Sequence, residues 1–151
     1  MKFNQVVGQK QLKKILLSSV NSNRIGSAYI FFGAEGSGCL PLALAFAQYI
    51  SCLDKREDDA CGICESCVKY EKLVHPDLHL FMPRVSNSEY DGTVLNIFRK
   101  AILENPYLSI DEWNRKQNAE NKQTIISVAD TNNIIERLTL YNFEGKYRVV
   151  I

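Results

Sequence analysis

The stretch Ala28-Tyr29-Ile30-Phe31-Phe32-Gly33-Ala34-Glu35-Gly36-Ser37-Gly38-Cys39-Leu40-Pro41-Leu42-Ala43-Leu44-Ala45-Phe46-Ala47 decides the fold. Residues 28–32 are continuously apolar or aromatic and are bounded by Gly26 and Gly33, which predicts a strand buried on both faces of a parallel sheet. A glycine loop comes next. Leu42, Ala43, Leu44, Ala45, Phe46, Ala47, Tyr49 and Ile50 then predict a helix apolar nearly all round, with Pro41 tolerable only in its first turn. Strand, glycine loop and buried helix open a βαβ unit, so the expected class is α/β with a parallel sheet and helices on its faces.

The loop Gly33-Ala34-Glu35-Gly36-Ser37-Gly38-Cys39-Leu40 stands where a phosphate-binding G-x-x-x-x-G-K-[ST] loop stands, directly after a strand and before a helix. Its glycines let successive backbone N–H groups turn inward around an anion at a helix N-terminus. Gly33, Gly36, Ser37, Gly38, Cys39 and Leu40 are therefore the candidate nucleotide-binding positions. Two of them depart from the pattern. Cys39 replaces the lysine that reaches the β and γ phosphates, and Leu40 replaces the hydroxyl that holds Mg²⁺. An ordinary thiol is neutral at pH 7, a leucine coordinates no metal, and Glu35 adds repulsion. The expectation is a degenerate loop that does not hydrolyse ATP, in a fold retained for assembly.

Downstream of the apolar helix, Cys52, Cys61, Cys64 and Cys67 give C-x8-C-x2-C-x2-C, with Cys39 left over. Met1-Lys2-Phe3-Asn4-Gln5 leads into Gly8-Gln9-Lys10 rather than an apolar signal region, so a metal site is expected in preference to disulfides. Two residues between cysteines let two thiolates meet one ion around a tight turn, for which Gly62 supplies freedom. A closed tetrahedron of four cysteines has no open position and is structural. Four unligated thiols and an iron–sulfur cluster are the competing readings. The iron–sulfur pattern C-x2-C-x2-C-x3-C-P lacks its last cysteine and proline after Cys67, so zinc is expected.

The chain has 151 residues, 18 Lys+Arg against 17 Asp+Glu and 46% apolar residues, which excludes disorder and a broadly basic coat. The longest apolar stretch, 28–53, is broken by the glycine loop and falls short of the roughly 20 residues of a membrane span. Leu12, Ile15, Leu16, Leu17 and Val20 recur at helical spacing over 8–23. Residues 1–24 hold Lys2, Lys10, Lys13, Lys14 and Arg24 and no acid, either a solvated helix face or a patch facing DNA, phosphate or an acidic partner. Helices are expected over 66–74, around Val94 to Ile102, after the capping box Ser109-Ile110-Asp111-Glu112, and over 128–141. Strands are expected over 77–82 and 147–151. The last run stops in mid-pattern, as expected of an N-terminal fragment.

Val7-Gly8-Gln9, the run 28–33 into the glycine loop, the cysteine cluster and His75-Pro76-Asp77 occur in that order along the chain. Together they resemble the N-terminal AAA+ module of bacterial DNA polymerase III clamp-loader subunits, delta-prime and its gamma/tau paralogue. The resemblance covers residues 1 to about 85 and 124–151. It implies a P-loop NTPase-type three-layer fold over 1–151, a zinc insertion at about 52–67 and a further insertion at about 86–123. It also implies that the last strand lies between the other two.

Val7 and Gly8 match the family segment near the adenine site, and the degenerate loop points to the delta-prime type. The resemblance thus implies a non-hydrolysing structural and allosteric subunit, not an enzyme by itself. Its implied partners are gamma/tau and delta subunits, the sliding clamp indirectly and primed DNA through the assembly, in the cytoplasm. The alternatives are an ATP-binding gamma/tau-like ATPase and a zinc-dependent DNA-binding module. Ser27 departs from the family's histidine before the first strand. The tripeptide 75–77 also marks J-domain co-chaperones, but here it introduces a strand and its expected role is structural.

Overall fold

Gly8 and Gln9 both take positive φ, 66° and 54°, and this kink separates a 3₁₀ turn at Phe3–Gln5 from helix α1 at Lys10–Asn21. The computed structural model describes residues 1–85 and 92–151, in two compact units, Met1–His75 and Pro76–Ile151. Part of the expected 86–123 insertion, residues 86–91, lies outside the described residues. No helix of the described residues is long and apolar enough to cross a membrane.

The first unit is built on α2, Cys39–Ser51, which begins directly after the glycine loop. Leu42, Leu44, Ala45, Phe46, Ala47, Tyr49 and Ile50 are all buried, as an all-round apolar helix requires. Phe3 packs its ring on Tyr49 at 5.6 Å, and the Tyr49 hydroxyl bridges Asn21 Oδ1 and the Arg56 carbonyl, both at 3.1 Å. Helix α3, Glu65–Glu71, comes after the cysteines. Tyr70 on it meets the His75 ring at 4.6 Å and accepts from Ser51 Oγ at 2.9 Å.

The strand expected over 28–32 is not one of the strands among the described residues. Tyr29 sets its ring edge-on against Phe46 of α2 at 4.9 Å, while Ile30 and Phe32 are 94% and 95% exposed. The alternation of a strand is therefore present, with Tyr29 and Phe31 partly covered and Ile30 and Phe32 outward. A strand buried on both faces needs ladder partners and a second covering layer, and the described residues of the first unit supply neither to this run. Residues 28–32 are thus corrected from a strand buried on both faces to an extended run of the first unit that is not assigned as a strand.

In the second unit the other two expected strands do pair. Strand β1, Leu78–His79, runs parallel to β4, Val149–Val150, with Leu78 opposite Val149. Bonds from Val149 N to Asp77 O (2.8 Å), Ile151 N to His79 O (3.0 Å) and Phe81 N to Ile151 O (2.7 Å) extend the ladder. Between them lie β2 (Arg84–Val85), α4 (Gly92–Glu104), α5 (Ile110–Lys116), β3 (Thr124–Ile125) and α6 (Val128–Thr139).

Strands β2 and β3 pair antiparallel, Arg84 opposite Ile125, at the base of the segment that holds α4 and α5. Within it the expected capping box forms: Ser109 Oγ accepts from Glu112 N at 3.0 Å, and Glu112 Oε2 accepts from Ser109 N at 3.1 Å. Trp113 of α5 is buried edge-on against Phe98 of α4 at 5.0 Å and donates its Nε1–H to the Pro83 carbonyl at 2.6 Å. Helices α4 and α5 therefore share a hydrophobic contact seated on the β2–β3 stem.

Arg84 reaches from that stem to Asp130 of α6 at 2.7 Å, and both are buried. Burial pushes the Asp130 carboxyl up, but bonds from Ser127 and Arg84 outweigh it and hold its pKa below the ordinary value of 3.8. A carboxylate whose folded pKa is depressed contributes stability above its unfolded pKa and loses it as pH falls through the folded one. Urea midpoints of the wild-type chain and Asp130→Asn are thus expected to differ by a constant amount down to about pH 4 and to converge below it. A gap unchanged at about pH 2 to 3 would exclude this ion pair as an acid-labile contact.

Candidate metal centre and glycine loop

The four cysteines come from three local structures. Cys52 is the extended residue that ends α2, Cys61 closes a polar loop, and Cys64 is the N-cap of α3, with Cys67 in that helix's first turn. Gly62 takes φ 79° between them, the left-handed turn its lack of a side chain permits. The sulfurs of Cys52 and Cys61 are 3.6 Å apart, those of Cys61 and Cys67 3.9 Å, and all four lie within 4.8 Å of one another. A tetrahedron with metal–sulfur bonds of about 2.3 Å places its ligands about 3.8 Å apart, so the donor set fits a metal ion.

Backbone N–H groups point at the sulfurs: Cys61 N at Cys52 Sγ (3.3 Å), Cys64 N at Cys61 Sγ (3.4 Å) and Cys67 N at Cys64 Sγ (3.5 Å). Burial pushes the Cys61 thiol up, but N–H groups of Ile63 and Cys64 and the neighbouring sulfurs outweigh it and bring it down to about 6. Burial is the leading cause that raises Cys52 and Cys67. Sulfurs crowded into one buried nest repel as thiolates, and a cation at their centre relieves that repulsion. No disulfide involves any of these cysteines. His75 is buried against Tyr70 and takes no part in the cluster.

One residue of this site carries no spacing signal. Asp59 is buried in the polar loop, and its carboxylate accepts from Phe3 N (2.9 Å), Asn4 N (3.0 Å) and Ala60 N (2.8 Å). In the sequence it is the third acid of Glu57-Asp58-Asp59 and looks like its solvated neighbours.

The glycine loop has the backbone its composition suggests. Gly36 and Gly38 take φ 75° and 91°, and Gly38 caps α2. A Cβ on Gly33 would lie 2.5 Å from Ser37 Oγ and 3.3 Å from Cys39 Sγ, so any larger residue there displaces the Ser37 hydroxyl from its contact with Cys39. Ser37 N donates to Ala34 O at 3.0 Å, and Ser37 Oγ contacts Cys39 Sγ at 3.4 Å. Gln9 Nε2 donates to Ser37 O at 2.8 Å and joins the Val7-Gly8-Gln9 segment to the loop. Val7 itself is 75% exposed. Beside the loop lies a cleft of about 330 Å³ lined by Leu12, Ile15, Tyr29, Ile30, Phe32 and Leu42 among others, with no charged side chain in its lining.

Comparison with known proteins gives this geometry a family. A family model described as DNA polymerase III, delta subunit, matches residues 8–151. DNA polymerase III subunit delta′ of Bacillus subtilis (strain 168) is 37% identical over 75 residues, 50% of this chain and 22% of that protein. Subunit gamma/tau of Mycoplasma genitalium is 35% identical over 65 residues, 43% of this chain and 11% of that protein. Protein STICHEL-like 4 of Arabidopsis thaliana is 32% identical over 69 residues, 46% of this chain and 7% of that protein. The aligned segments thus span about a fifth or less of these relatives' lengths. With the family match running from Gly8 to Ile151, the chain belongs to the DNA polymerase III delta-subunit family of clamp-loader proteins.

Proposed function

We propose that this chain is a delta-prime-type AAA+ module, residues 1–151, that holds zinc on Cys52, Cys61, Cys64 and Cys67. It serves as a non-hydrolysing structural and allosteric partner in ATP-driven loading of the sliding clamp onto primed DNA. Its partners are then gamma/tau and delta subunits, in the cytoplasm. The observation that carries the reading is the content of the glycine loop. Cys39, in contact with Ser37 Oγ, stands at the lysine position and Leu40 at that of the Mg²⁺-binding hydroxyl, and the adjacent cleft has no charged lining. Phosphoryl transfer depends on those electrostatic contacts.

The basic N-terminal segment supports the architectural role over a DNA-binding one. Lys13 Nζ donates to the Val6 carbonyl, and the Lys2 side chain lies along Gly62, so two of its cations have internal duties. Zinc, when bound, ties the end of α2 to the start of α3 through thiolate bonds.

Calorimetric titration of the intact protein with ATP and Mg²⁺ tests the proposal. No saturable binding up to about 1 mM is expected. Micromolar, Mg²⁺-dependent binding that disappears in Cys39→Ala would replace it with the gamma/tau-type ATPase.

A further inference from the structure

We propose that Asp59 and Gln9 are positioning residues which link the glycine loop to the metal centre through the N-terminal segment. Filling the four-cysteine site then orders the loop, in the role a bound nucleotide would otherwise have. This linkage rests on the proposed metal site.

The path is continuous. Asp59 lies two residues before Cys61, and its buried carboxylate holds the N–H groups of Phe3 and Asn4 at 2.9 and 3.0 Å, as an N-cap holds a first helical turn. The Lys2 side chain lies over Gly62, between Cys61 and Cys64. From that turn the chain passes through buried Val6, whose carbonyl is held by Lys13, to the Gly8–Gln9 kink. Gln9 Nε2 then donates to Ser37 O at 2.8 Å. Ser37 is the loop residue that closes on Ala34 O and Cys39 Sγ.

The position of Asp59 depends in turn on the cysteines. Residues 53–58 are exposed, and the loop's own backbone bond is Arg56 N to Asp59 O at 3.0 Å. Among the described residues, and outside its ends at Cys52 and Cys61, the loop is tied to α2 at a single point, the Arg56 carbonyl that accepts from the Tyr49 hydroxyl at 3.1 Å, three residues before Asp59. With the metal gone those ends are no longer fixed to each other, the acceptor for Phe3 and Asn4 moves, and a terminal segment without its anchor frays. Gln9 then has no fixed place from which to hold Ser37.

Amide hydrogen exchange of the purified chain, with bound zinc measured in parallel, tests this. Chelation is expected to speed exchange about tenfold over 1–9 and 34–40, while the interior of α2 keeps its protection. Asp59→Ala, with zinc still bound and 61–67 still protected, is expected to show the same acceleration. Gln9→Met, which keeps side-chain length but has no donor, is expected to release 34–40 alone. Exchange over 34–40 that is the same with and without zinc, or unchanged in Gln9→Met, overturns the linkage. A chain that binds no zinc overturns the metal reading and the linkage with it. If chelation also unprotects α2, or Asp59→Ala does not fold, the zinc-bound Gln9→Met variant decides.

Discussion

Cys61→Ser is expected to destabilise the first unit by about 4 kcal/mol or more, with stoichiometric zinc lost. Cys61 is central to the cluster: its sulfur is 3.6 Å from that of Cys52 and 3.9 Å from that of Cys67, and it accepts from Cys64 N. Serine is a poor ligand for a soft thiolate site, and it places a hydroxyl where the residue is buried. Metal binding in modules of this kind is folding free energy, about 10 to 16 kcal/mol in isolated zinc-finger peptides. The effect here is smaller because α2 has a hydrophobic core of its own. Acid should mimic the mutation, since the ligands bind metal as thiolates and release it on protonation. The measurements are zinc content per chain and the urea midpoint, each with and without chelator. A wild-type chain that carries one zinc yet has the same midpoint after chelation would deny the site its structural role.

The elements that sequence made legible are those whose signal is local. Two C-x2-C steps and a helix end put four sulfurs together because each step is set by a single turn, so the cluster follows from spacing. The apolar helix after the glycine loop is buried as its composition demands, and the capping box at Ser109 forms from four adjacent residues. Long-range pairing was legible only through the family resemblance, which put 147–151 beside 77–82. Strands β2 and β3 are two residues each and about forty apart in sequence, too short for a period-2 pattern, yet they form the stem beneath α4 and α5. Residues 28–32 show the converse failure. Their composition satisfies a buried strand, but composition does not state which chain lies alongside, and Ile30 and Phe32 face solvent. At Asp59 and Asp130 the chemistry depends wholly on distant partners, the 3₁₀ turn and Arg84, so neither stands out from neighbouring polar residues.

Asp77→Ala should be the most damaging single change in the second unit, at about 3 to 5 kcal/mol. The carboxylate is fully buried. Oδ1 accepts from Phe143 N at 2.7 Å, and Oδ2 accepts from Glu144 N at 2.9 Å and Gly145 N at 2.7 Å, which shapes the turn that leads into β4. Arg148 Nη2 lies 3.4 Å from Oδ1, and the same guanidinium donates to the carbonyls of Arg137 and Tyr141 at the end of α6. The Asp77 carbonyl also accepts from Val149 N and so begins the parallel ladder. Alanine would leave these N–H groups and a nearly buried guanidinium without their acceptor, a larger cost than the loss of one neutral hydrogen bond. Asn keeps the shape and one acceptor oxygen but turns an NH₂ toward the N–H donors, so Asp77→Asn should recover only part of the loss. The urea midpoint gives the size of the effect, and faster amide exchange over 143–151 gives its place. A variant with an unchanged midpoint would deny Asp77 this bracing role. The burial and bonding of the carboxylate argue for a buried brace, which sets the register of β1 against β4.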